Sequence, residues 1–202
     1  MLRFFTSREL SHNLRIPLAK WKRWCREFLP PDPLGGLQSG VARRYSVDQA
    51  LTVFIGGHLV GELKTSIPTA RQIMADLHTC FKEIGVFANT RIHSRHRLGE
   101  YGAISAFCIL FCRDSRASNG TSPFIYTVRG LVSRAAYDAG PHRVHREDYL
   151  ETYVPMSTQT PLDIYKTKMK LLPISAIVDR FTRAMDLDRR HFPIIEHYSS
   201  DS

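Results

Sequence analysis

Up to Gly85 the apolar residues of this 202-residue chain recur every three or four positions, and past it they bunch into short runs rich in aromatic and β-branched side chains. A helix turns its side chains with a period of about 3.6 residues and a strand with a period of about 2, so the two spacings belong to different elements. The chain is therefore expected to be α+β. A mainly helical unit over 1–85 precedes a second unit over 86–202 that carries a smaller sheet and a last helix.

In the first unit Ser7 is the expected N-cap of a short helix over 8–14, with Leu10 and Leu14 on one face. Arg15-Ile16-Pro17 makes a turn, and Pro17 suits the start of a helix over 18–28. Leu18, Trp21, Cys25 and Phe28 form its apolar stripe, leaving Lys20, Lys22, Arg23 and Arg26 on the other faces. Trp21 reads as core and Trp24 as a packing residue. Pro30-Pro31-Asp32-Pro33 stops this helix, and the Gly-rich segment 34–45 reads as a small hairpin. Ser46 then caps a third helix to about Leu63, on Val47, Leu51, Phe54, Ile55, Leu59 and Leu63. A fourth opens at Ser66-Ile67-Pro68-Thr69, carries Ile73, Leu77, Phe81 and Ile84, and stops at Gly85.

The formal net charge is +9, and residues 1–26 hold seven Lys and Arg against Glu9 alone, which is six of those nine charges. A basic surplus at one end suits a polyanion, a membrane surface or a solvated face. A helix can enter a DNA major groove when one face packs on its own domain and another offers donors. The helix over 18–28 meets that condition, with the hairpin beside the groove and Arg43 and Arg44 against the phosphates.

Arg8-Glu9-Leu10, the run Ile16-Pro17 through Arg23-Trp24-Cys25-Arg26-Glu27-Phe28-Leu29-Pro30-Pro31, and Arg43-Arg44-Tyr45-Ser46-Val47-Asp48 together resemble the winged helix-turn-helix of the mercury-resistance-regulator (MerR) family. The last piece looks like that family's wing signature, with the Asp one place nearer. The resemblance covers about residues 4–82 and implies sequence-specific binding of double-stranded DNA in transcription regulation. It places Lys20 and Lys22 in the groove and Arg43 and Tyr45 at the phosphates. The full expected contact set is Lys20, Lys22, Arg23, Arg26, Arg43, Arg44 and Tyr45. The wing, 34–41, is longer than the usual one. The family's coiled-coil dimerisation helix has no counterpart in 86–102, which lacks an apolar heptad, and the family's cysteine metal sites do not carry over.

In the second unit strands are expected over 103–112, 124–129 and 149–154, and a helix over 175–187. The first two strands are the expected contact of a homo-oligomer, pairing across an edge or facing a partner. His93, His96, His142 and His145 with Cys108 and Cys112 have the chemistry of zinc or copper ligands, but the arginines around each His pair oppose a cation. The same basic clusters suit more DNA, an acidic partner or solvated loops. Neither a nucleotide-binding loop nor a hydrolase or metalloprotease motif occurs, so no enzyme, cofactor or metal is expected. Four cysteines without a Cys-x-x-Cys pair suit a reducing compartment, and no apolar run reaches membrane-spanning length. The expected location is the cytoplasm, on the nucleoid. The competing functions are an architectural, excisionase-like or packaging DNA-binding factor, and a module whose basic face meets protein.

Overall fold

The computed structural model describes residues 3–32, 42–90, 106–113, 123–140, 142–154 and 168–195. It is α+β and divides into two units, one of residues 1–75 with 179–188, the other of residues 76–178 with 189–202. The division runs through a helix rather than following Gly85, and the chain returns to the first unit near its end.

The first unit opens with strand β1 (Phe4–Thr6), helix α1 (Ser7–Asn13) and helix α2 (Leu18–Phe28), then strand β2 (Arg44–Ser46), helix α3 (Val47–Gly61) and the start of helix α4 (Ile67–Glu83). β1 and β2 pair antiparallel with Phe5 opposite Tyr45. Each strand runs straight into a capped helix. Thr6 accepts from the Glu9 backbone N–H while the Glu9 carboxylate accepts from the Thr6 N–H at 2.6 Å, and Ser46 and Gln49 repeat the exchange. Such reciprocal pairs satisfy two orphan donors at each helix start. The cap of α1 is thus Thr6, one residue before the expected Ser7, because Glu9 stands three places after Thr6.

Trp21, Trp24 and Cys25 are the buried residues of α2. Two glycines of α3 make room for Trp24 and the neighbouring Phe28. A Cβ at Gly56 would stand 2.7 Å from the Phe28 ring, and one at Gly57 would meet the Trp24 ring closer still. Glycine at these positions lets the helix backbones approach with the aromatic rings filling the space. Trp21 meets Tyr45 edge-on at 6.5 Å, tying α2 to the small ribbon.

The second unit contains strands β3 (Ala106–Arg113), β4 (Phe124–Ala139), β5 (His142–Val154) and β6 (Lys170–Leu172), and the start of helix α5 (Ile174–Ala184). The strands form one antiparallel sheet in the order β5-β4-β3-β6. Its core includes Phe107, Ile109, Phe111, Tyr126, Val128, Leu172, Ile177, Phe192 and Ile194. The buried Ser175 hydroxyl accepts from the Phe107 N–H at 2.8 Å and donates to the Ile194 carbonyl.

Two expectations change here. The segments put forward for pairing across an edge are the interior strands β3 and β4, each hydrogen-bonded on both sides. Among the described residues the edges belong to β5 and β6. The basic cluster at 142–146, expected in a loop, lies on β5. β3 covers β4 only between Phe124 and Leu131. Past an irregularity at Leu131/Ser133, β4 and β5 continue as a two-stranded ribbon to a turn at Gly140, whose φ is +64°.

Candidate nucleic-acid interface

The buried stripe of α2 leaves two flanks, and the structure sorts the expected contact residues between them. On one flank Leu18, Ala19, Lys22 and Arg26 line a groove of about 900 Å³ whose other walls are Ser7 and Arg8 at the start of α1 and Ala42 and Arg43 before β2. It gathers the cations Arg8, Lys22, Arg26 and Arg43, and no carboxylate lines it among the described residues. Arg8, Lys22 and Arg26 are exposed, while Arg43 is half-buried, donating to the Pro30 carbonyl at 3.1 Å and lying over the Tyr45 ring.

Tyr45 is 4% exposed. Its ring belongs to the core, and its hydroxyl accepts from Ser7 at 3.1 Å beside Cys25. Burial pushes both the Cys25 thiol and the Tyr45 phenol up, so both stay protonated and neutral at neutral pH. The floor of the groove is uncharged and fixed, and the charges stand on its rim. Arg44 is exposed on β2 and acts on Glu9, whose carboxyl the Thr6 backbone N–H, first, holds below its ordinary value.

Lys20 and Arg23 are not in this groove. Lys20 lies 4.8 Å over the Trp24 ring on the other flank, and both residues line a separate hollow with Glu27 and Pro68. The expected pair Lys20 and Lys22 is split, since residues two positions apart on a helix point about 200° away from each other. Arg8 joins the groove, although the sequence marks it only as the opening of α1. Its signal was the exposed first turn behind the Thr6 cap. The wing expected at 34–41 lies outside the described residues.

Comparison with protein-family models, curated proteins and solved structures finds no match for this chain. The site therefore rests on its own geometry. No helix among the described residues is long and apolar enough to cross a membrane.

Among the described residues no three His, Cys, Asp or Glu come together as metal ligands. His93 and His96 lie outside them. Cys112 is buried in β3, and burial pushes the Cys108 thiol up from its ordinary value.

Proposed function

We propose that the first unit binds double-stranded DNA as a winged helix-turn-helix of a transcription regulator, with α2 in the major groove. The observation that carries this reading is the groove of four cations, lined by no carboxylate among the described residues and built on one of the two flanks of α2 that the core leaves free. Ala19, Lys22 and Arg26 face the bases and nearest phosphates, and Arg8 and Arg43 grip backbone on either side. Arg44 adds a more distant charge. Tyr45 acts by holding β2 against α2, and Lys20 and Arg23 contribute only to the general field. Such a division of labour separates contacts that specify from contacts that position.

A single unit of this kind covers one half-site. We read the second unit as the oligomerising one, so that two groove-facing helices meet paired half-sites. The test is duplex binding against salt concentration by fluorescence anisotropy. Four phosphate contacts give a log–log slope of about −3 to −4. A flat response breaks the DNA reading and leaves the basic face to a protein partner. Protection of many adjacent sites on bent DNA, rather than of one paired site, would make the protein an architectural factor instead.

A further inference from the structure

We infer that β5 is the contact between two copies of this chain, pairing antiparallel with its own counterpart so that the two sheets join edge to edge. This builds on the reading of the second unit as oligomerising and names its surface.

Among the described residues β5 is hydrogen-bonded to a neighbour on one side only, that of β4, over 13 residues. An open edge of that length is a template for another strand unless something blunts it. The strand has no proline from His142 to Val154. Its charges are instead ordered. Residues 142–146 carry Arg143 and Arg146 with two histidines and no acid, and residues 147–151 carry Glu147, Asp148 and Glu151 with no base. Arg143, His145, Arg146, Glu147, Asp148 and Tyr149 are all exposed.

A strand that is basic in its first half and acidic in its second is complementary to itself when reversed. A two-fold axis between Arg146 and Glu147 sets Arg146 opposite the second copy's Glu147 and His145 opposite its Asp148. Val144 then meets Tyr149, which is 39% exposed. No like-charged pair arises in that register, and like charges directly opposite are what destabilise a cross-strand pair. A parallel arrangement would set like against like. A nucleic acid is the wrong occupant, because the acidic half would face phosphate. Arg146 and Asp148 meet at 3.2 Å along their own strand, yet their side chains remain 69% and 50% exposed, open to a second copy. The ribbon past Leu131 has a need of its own: two strands alone are marginal in water, and a third and fourth strand would stiffen it.

The experiment is sedimentation velocity on the full chain and on two charge-reversed forms, one with Arg143→Glu and Arg146→Glu, the other with Glu147→Arg and Asp148→Arg. The wild type is expected to be a dimer in the micromolar range. Each reversed form should dissociate at least about tenfold more readily, since its strand then meets itself with like charges. An equal mixture of the two should recover a dimer. A wild type that stays monomeric, or reversed forms that associate as tightly as the wild type, would overturn the inference. If a reversed form fails to fold by circular dichroism, Arg143→Ser with Arg146→Ser should move the equilibrium the same way by less. Binding to a duplex carrying one half-site separates this from the DNA reading. Monomeric wild type that still binds it sinks the β5 contact together with the oligomerising role of the second unit and leaves the DNA reading standing. Reversed forms that dimerise as tightly as the wild type sink the β5 contact alone, and a dimer that binds no DNA sinks only the DNA reading.

Discussion

The crossing of α2 on α3 and the outer ribbon of β4 and β5 stand at opposite ends of what packing can do. At the crossing, Gly56 and Gly57 leave no room for even a Cβ, and Trp21 and Trp24 are 0% and 6% exposed. On the ribbon, the described side chains from Ser133 to Asp138 and from Arg143 to Tyr149 are exposed or half-buried, with Tyr137 at 52%. The first region holds its shape by exclusion and carries its charges on the two flanks of α2, Lys22 and Arg26 on one and Lys20 and Arg23 on the other. The second holds a shape by cross-strand pairing alone and distributes charge along an open edge. Rigidity is needed where a helix must present side chains at fixed spacing, and a surface without a core is free to be shaped for a partner.

That contrast can be broken most directly by deleting a ring from each region. Trp21→Ala should cost about 3–5 kcal/mol by urea denaturation, the usual range for an aromatic removed from a core. Tyr137→Ala should stay within about 0.5 kcal/mol. Similar costs at both sites would mean the ribbon is packed after all. Gly57→Ala is the next largest expected effect, about 1–3 kcal/mol of destabilisation from overpacking against Trp24. A neutral result would show that the α2–α3 approach has slack.

The two flanks of α2 sharpen the comparison within one helix. Lys22→Ala should weaken duplex binding by about 1–3 kcal/mol, whereas Lys20→Ala should lose less than about 0.5 kcal/mol, as a cation outside the groove. Equal losses, measured by anisotropy at one salt concentration, would remove the groove's special status.

The smallest expected effect is one of pH. Burial first, then the Arg180 guanidinium, holds His58 below its ordinary value of 6.5, and Arg180 lies 3.3 Å from its Nδ1. With the folded value depressed, the unfolded chain takes up the proton first as pH falls. The contribution of His58 to stability is therefore present above about 6.5 and lost as pH falls below that toward the folded value. Thermal unfolding between neutral and mildly acidic pH should show this slope, and His58→Gln should flatten it.

Much of the first unit was legible. The helix over 18–28 has the bounds its stripe implies, and α4 ends beside Gly85, whose φ is +77°. Trp24 packs as its type implies, since the glycines of α3 let that helix approach its ring, while Leu18 of the expected stripe is only half-buried. The second unit was read less far. The segments 124–129 and 149–154 are only the ends of β4 and β5 that lie near the core. Their outer parts bury no face, so they show no alternation of apolar and polar residues, and Ala135-Ala136 is a weak strand signal. β1, β2 and β6 have three residues each, too few to carry a period.

By itself the sequence determined what is local and periodic: where helices run, where prolines and Gly85 stop them, which residue types can cap them, and that basic charge gathers in the first 26 positions. Only the tertiary structure decided that residues 4–6 pair with 44–46, and that Lys22 and Arg26 face Arg8 and Arg43 while Lys20 turns to Trp24. It also decided that β5 is an edge among the described residues. The reason is the same in each case. Spacing along the chain sets the angles at which side chains leave an element, but which of those angles stays open depends on residues far away in sequence that come to cover the others.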